Sequence, residues 1–443
     1  MIESTKELKR VLGKRELFGI AVGQIIGAGL ISLMPSAIGM TGKGVNVAFL
    51  ISAMLVSLNA IPMLFVASSL RLRGGQYSQG IILVGNTYGG FWIIIYIIRN
   101  ISIAMYCLSF ADYLNELIPG IPLKTVAIVV ATFTFLINYF GIKNASIVQL
   151  IMVICLAIGL ASFTVFGIFK VNPQYFNDPN YFSNGIKGLL SASGLLLFAT
   201  GGATAIIDIG AECKNPTKDI PFVIIVSTFA VAIFYAIMSI VASGVLPISE
   251  VANKPLTLVA QRILPAPLYV FFIIGGCMFA LLTTLNATVA WLTKPIMQAC
   301  DDGWFPYQIA KLSRFKTPTY LLGFFYLITI LPIIFDFSIA NIASFTICIQ
   351  FVQQTINSIS VLRLPKLFPD NWKKSPFYMP ENIFRILVIF GTLAGLISIA
   401  FSLLSFNISM IVGNIVVLII SILFAIIRMK SGKVDIKISF EDQ

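Results

Sequence analysis

Glycines cluster twice inside apolar stretches of this sequence, at Gly23-Gln24-Ile25-Ile26-Gly27-Ala28-Gly29 with Pro35 and Gly39 beyond, and at Phe198-Ala199-Thr200-Gly201-Gly202 between Gly194 and Gly210. A glycine inside a helix is about 1 kcal/mol less favourable than alanine and leaves the backbone accessible. Unwinding at such a cluster frees N–H donors and C=O acceptors that a continuous helix would pair internally. Donors for a carboxylate and acceptors for an ammonium, side by side in a place poor in water, are what a zwitterion requires. The other reading of the same glycines is close helix–helix packing. Conventional catalytic groups are sparse. There is no histidine, which removes the commonest proton shuttle and metal ligand. The six cysteines (107, 155, 213, 277, 300 and 348) show no paired spacing, so neither a disulfide framework nor a metal site is expected. No carboxylate sits in a nucleophile–base arrangement, and neither an enzyme nor a cofactor is predicted.

The elements that must position these clusters are membrane helices. The 443 residues are 58% hydrophobic and 11% charged, too few charges to cover a soluble domain. Apolar stretches long enough to cross about 30 Å of hydrocarbon recur along the chain. They predict spans near 17–38, 46–68, 89–115, 123–140, 145–169, 186–211, 220–245, 267–297, 319–335, 338–362, 383–404 and 407–428. The expected fold is an all-α integral membrane protein of 12 transmembrane helices. Its predicted parts are an N-terminal segment (1–16), a first five-helix repeat (17–169), a second (186–362), two added helices (383–428) and a tail (429–443). The broken spans are the first and the sixth, each opening one half, as expected of inverted repeats.

The sequence carries 30 Lys and Arg against 18 Asp and Glu, a balance that could suggest nucleic acid, but the placement reads as topology. Alternate loops and both tails hold most of the basic residues. The opposite loops hold only Lys43, Lys124, Lys170, Lys187, Lys254 and Arg262. That asymmetry predicts cytoplasmic termini, and the charged start, MIESTKELKRVLGKREL, is expected to lead uncleaved into the first span. Lys294 is expected to snorkel to the interface, while Glu212, Lys214 and Lys218 form a solvated or gate-closing cluster. Asp301 and Asp302 are placed at a helix end or in a loop. Arg99 and Asp208 fall deepest within spans, at similar depth, where a lone charge needs a partner. An ion pair between them is therefore expected, either fixed or able to take up a proton. Thr283 and Thr284 could give hydroxyl oxygens to a hard cation such as sodium, or bond to their own helical turn.

Several motifs resemble, in order, those of the amino acid–polyamine–organocation superfamily of transporters. Gly23-Gln-Ile-Ile-Gly27-Ala28-Gly29-Leu30-Ile31 resembles its first-helix signature, and Gly74-Gly75-Gln76-Tyr77 its G-G-x-Y. Asn138-Tyr139-Phe140-Gly141, Phe198-Ala-Thr-Gly-Gly202, Glu212-Cys-Lys-Asn-Pro216 with Ile220-Pro221, and Asp302-Gly303-Trp304-Phe305-Pro306 follow, and Ser375-Pro376-Phe377 with Pro380 is a fainter echo. The resemblance implies the LeuT-type 5+5 inverted-repeat fold, alternating access and an α-amino acid substrate in the cell membrane. It puts the substrate carboxylate on the amides of Gly27, Ala28 and Gly29. The ammonium then falls to the carbonyls of Phe198, Ala199, Thr200 and Gly201, helped by Ile26. Phe198 becomes a lid over the substrate, or else an aromatic packed in the core. Side-chain specificity is expected from Tyr106, Thr204, Asn286, Gln350, Gln353 and Gln354. Thr204 offers no charge, so a small neutral amino acid is expected.

The sequence also departs from the family pattern. Ala28 replaces the family's serine, and the lysine that many members carry in helix 5 falls near Leu156, with no lysine before Lys170. The loop after helix 3 holds no cysteine, so no disulfide-linked accessory subunit is expected. The predicted activity is secondary transport, by exchange or by coupling to H+ or Na+. A non-transporting amino acid sensor is the alternative.

Overall fold

The computed structural model describes residues 10–72, 74–140, 142–436 and 440–441. Among them, nine apolar helical runs are long enough to cross a bilayer, and two shorter apolar helices, Leu123–Tyr139 and Thr319–Ile334, accompany them. The helices used below are α1 (Lys14–Ile25), α2 (Ala28–Thr41), α3 (Val45–Ser69), α4 (Gly75–Val84), α5 (Asn86–Arg99), α6 (Ile103–Leu117), α7 (Leu123–Tyr139), α8 (Ile142–Ile168), α9 (Gly185–Thr200) and α10 (Pro216–Gly244). They continue as α11 (Phe279–Leu292), α12 (Lys294–Asp301), α13 (Thr319–Ile334), α14 (Ile339–Ser360), α15 (Glu381–Leu403) and α16 (Ile408–Lys430).

Two kinds of helical face explain the packing. On α8, Ile151, Ile154, Ile158 and Val165 recur at helical spacing and are more than half exposed, while Leu156, Leu160 and Phe163 are fully buried. A stripe of large exposed aliphatics is unstable in water and suited to hydrocarbon. The helices α15 and α16 bear similar outward stripes, from Ile383 to Ile397 and from Ile408 to Ile427. Inside, α2 packs on α9 and α3 on α10, while α14 and α16 close against α15 and α5 respectively.

Both glycine clusters interrupt their helices. The first breaks at Ile26–Gly27, between α1 and α2. The second breaks at Gly201–Gly202, after which Ala203–Glu212 continues as ten residues of the tighter 3-10 helix. Such long 3-10 runs are uncommon and mark hinges or strain. Two further irregularities fall where continuous spans were expected. Between α5 and α6, Asn100–Ser102 forms a 3-10 turn. The Asn100 side-chain amide donates to the Tyr96 carbonyl at 2.7 Å, and its backbone N–H turns to Ile97 instead. Ahead of α11, Phe272–Met278 is π-helical.

The fold is not purely helical. Arg71–Leu72 pairs antiparallel with Phe440–Glu441, and Leu12 bridges Cys213 in parallel. Backbone patterns this short leave no periodicity to read in a sequence. The C-terminal segment is tied to the same end of the bundle, with Asp435 N–H donating to Asp302 O at 3.0 Å and Arg428 donating to the carbonyls of Gly303 and Trp304.

Candidate functional site

The two breaks lie against one another. A methyl group on Gly29 would overlap the Ala199 Cα, and one on Gly202 would lie 2.9 Å from the Gln24 carbonyl oxygen. Gly202 has φ +108°, a region that side chains other than glycine's rarely enter. The breaks thus require glycine for both close approach and backbone conformation.

Interrupting α1 frees the carbonyls of its last turn. The Thr284 hydroxyl donates to Gly23 O at 2.8 Å and the Tyr235 hydroxyl to Ile25 O at 2.8 Å. One turn past the break, Pro35 has no N–H for Ile31 O, and the Tyr113 hydroxyl supplies that bond at 2.9 Å. The amides at the start of α2 and the carbonyls at the end of α9 have no partner within their own helices.

Beside the breaks, a cavity enclosing about 70 Å³ is lined by Gln24, Gln76, Arg99, Tyr106, Phe198, Gly201, Gly202, Thr204, Trp291 and Gln350, among others. That is room for several water molecules or part of a small solute. Of the residues expected to hold substrate through the backbone, Phe198 and Gly201 line it. Ile26, Gly27, Gly29, Ala199 and Thr200 stand behind the lining. The Gly27 Cα faces the Thr284 side chain, Gly29 faces Ala199, and the Thr200 hydroxyl bonds to Ser52 at 2.7 Å. The Ala28 side chain lies outside the described residues. Phe198 and Tyr106 meet across the cavity wall with ring centroids 6.2 Å apart.

Among the specificity candidates, Tyr106, Thr204 and Gln350 line the cavity, and Gln354 lines a smaller one that also holds Gln350 and Thr228. Asn286 turns away. Its amide donates to Gln149 Oε1 at 3.0 Å, and its own oxygen accepts from Asn138 at 3.1 Å. Gln353 donates to the Trp92 carbonyl at 3.0 Å, outside the cavity. Sequence reasoning missed Gln24, Gln76 and Trp291. Gln24 and Gln76 were legible as the variable positions inside two of the motifs. Gln24 Oε1 accepts from the Trp291 indole at 3.2 Å, which fixes both against the cavity.

Gln149 on α8 reaches the broken helix, its amide donating to Thr283 O at 3.1 Å and leaving no room for a side chain at Gly23. Leu156 is a fully buried apolar side chain. Both threonine hydroxyls bond to Ala280 O in their own helix, at 2.9 Å from Thr283 and 3.0 Å from Thr284, and Thr284 in addition ties α11 to the end of α1.

The expected Arg99–Asp208 ion pair does not form; among the described residues no Arg99 nitrogen lies within 4 Å of the Asp208 carboxylate. Gly74 and Gly75, both at positive φ, turn the chain so that the start of α4 meets Asp208. There the Gln76 N–H donates to Asp208 Oδ1 at 2.9 Å. A carboxylate at a helix N-terminus is satisfied by amides and by the helix dipole. The Arg99 guanidinium stacks 4.9 Å from the Tyr96 ring instead. Lys294 also departs from expectation. It is buried and paired with Glu212 Oε1 at 2.8 Å rather than extended to an interface. Asp302 caps α12 and accepts from the Tyr77 hydroxyl at 2.7 Å, so the G-G-x-Y and D-G-x-x-P motifs are in direct contact.

Comparisons with known proteins agree with this architecture. The model of the amino acid permease family matches residues 12–431. A branched-chain amino acid permease of Bacillus subtilis is 26% identical over 72% of this chain and 73% of its own length. A methylthioribose transporter of the same organism is 22% identical over 85% of each chain. A vacuolar cationic amino acid transporter of Arabidopsis thaliana is 26% identical over 69% of this chain and 55% of its own. These relatives are permeases and transporters, not enzymes. The chain belongs to the amino acid permease family.

Proposed function

We propose that the protein is a secondary transporter that carries amino acids across the cell membrane by alternating access, as an exchanger or as a symporter coupled to H+ or Na+. The observation that carries this reading is the polar cavity beside two mutually packed helix breaks. Freed amides at the start of α2 and freed carbonyls at the end of α9 provide the two ends of an amino acid with complementary partners. The carboxylate goes to Gly27, Ala28 and Gly29. The ammonium goes to the carbonyls of Ile26, Phe198, Ala199, Thr200 and Gly201.

The arrangement is a twelve-helix one, with repeats over 17–169 and 186–362 and two added helices over 383–428. Contact of α2 with α9 and of α3 with α10 supports it, since these are the first and second members of each half. Both termini are cytoplasmic, by the distribution of basic residues. Uptake of a panel of labelled amino acids into liposomes containing the purified protein tests the function. Stimulation by unlabelled substrate inside the vesicles identifies exchange, and dependence on a pH or sodium gradient identifies coupling. Absence of saturable uptake of every amino acid under all these gradients would refute it.

A further inference from the structure

Among the side chains lining the cavity, Arg99 alone carries a full charge. The residue is 8% exposed. Among the described residues, no carboxylate lies within 4 Å of it and no acceptor takes its N–H groups. Among the described residues it meets the face of Tyr96 at 4.9 Å, and Asp208 acts on it only through space, from beyond 4 Å. Asp208, the other charge buried in this region, is held by the N-terminus of α4 through the backbone and side-chain amides of Gln76. The 3-10 turn over Asn100–Ser102 sets Arg99 at an irregular point of the helix, against the cavity. The hydroxyls of Ser102 and Tyr106 and the amide of Gln350 border the same cavity, also without hydrogen-bond partners among the described residues. A buried guanidinium with five donors and no acceptor is unfavourable, and a planar carboxylate satisfies its fork geometry best.

We propose that Arg99, with Ser102, Tyr106 and Gln350 around it, is the subsite for the side-chain carboxylate of an acidic amino acid. This inference rests on the transport reading above. There the helix breaks take the α-carboxylate and the ammonium, which leaves Arg99 for a third charged group. An aspartate- or glutamate-like substrate pairs Arg99 on binding. The corresponding amide or apolar side chain leaves it buried and unpaired, and a site built to bond a polar group rejects ligands that lack it. The expectation of a neutral substrate followed from Thr204, which lines the same cavity but does not set its charge.

The test is competition against uptake of a labelled transported amino acid in liposomes containing the full-length protein. Aspartate and glutamate should inhibit at concentrations at least about tenfold lower than asparagine and glutamine do. Arg99→Gln should abolish that preference, read as the ratio of acid to amide inhibition in the uptake that remains, and Arg99→Lys should retain part of it. Equal inhibition by acids and amides in the unmodified protein would overturn the inference, a measurement that needs no variant to fold. So would a preference that survives in monodisperse Arg99→Gln protein. Loss of acidic and neutral uptake alike in such protein would assign Arg99 to the α-carboxylate and overturn it too. If no amino acid of any charge is transported, the transport reading fails and the inference with it.

Discussion

Lys294 Nζ lies 2.8 Å from Glu212 Oε1, with both side chains more than nine-tenths buried. Glu212 ends the 3-10 segment that follows the second break, and Lys294 begins α12. The pair therefore joins the segment after one break to a neighbouring helix. Removing one partner leaves an uncompensated charge in a dry place, which is destabilising by about 3–5 kcal/mol. Glu212→Gln and Lys294→Met should each lower the thermal unfolding midpoint of purified protein clearly. The double variant should lie closer to the parent than either. Additive losses in the double variant would show that the two charges do not depend on each other.

Gly29 and Ala199 are in contact across the two breaks. Gly29→Leu should abolish amino acid uptake while the protein still elutes as a single folded species, because the added side chain forces the breaks apart. Normal uptake by this variant would show that their close approach is not required.

Asp208 is satisfied by the start of α4, not by Arg99. A double-mutant cycle on Asp208→Asn and Arg99→Gln should therefore give a direct coupling well below the roughly 3 kcal/mol lost when one partner of a buried ion pair is removed. Midpoints of thermal or denaturant unfolding measure it. Recovery of stability in the double variant would reinstate the ion pair.

Tyr113 supplies the bond that Pro35 withholds from Ile31 O. Tyr113→Phe should be destabilising by about 1–3 kcal/mol, the cost of leaving a buried acceptor unpaired. Adding Pro35→Ala restores a backbone N–H to the helix, and the loss from Tyr113→Phe should shrink in that background. An unchanged loss would mean that the hydroxyl stabilises something other than this carbonyl.

Motifs made the fold readable from sequence, because glycine and proline report backbone constraints that hold wherever the chain goes. Gly23, Gly27, Gly29 and Gly202 marked the two breaks correctly for that reason. Side-chain orientation was less legible. Asn286 and Gln353 lie on the expected helices but face Gln149 and the Trp92 carbonyl, since a shift of one residue rotates a helical side chain by about 100°. Gln149, seven residues before Leu156 and about two turns away on the same face of α8, was not singled out although its side chain is the one that faces Gly23. Equal depth suggested that Arg99 and Asp208 would pair, but depth ignores the backbone donors that a helix N-terminus brings to a carboxylate. The short ladder between Arg71–Leu72 and Phe440–Glu441 joins segments far apart in the chain and had no local signal.

The cavity beside the breaks is the centre of this account, and Trp291 reports on it directly. Its indole donates to Gln24 at 3.2 Å on the cavity lining, and it is one of 4 tryptophans in the chain. Tryptophan emission should be measured while the amino acid identified by uptake is titrated into purified protein. The account predicts a saturable change, half-complete near the concentration that half-saturates uptake, and its loss in Trp291→Phe. An emission that stays constant through saturating substrate, or a change that persists unaltered in Trp291→Phe, would place the substrate elsewhere and contradict the account.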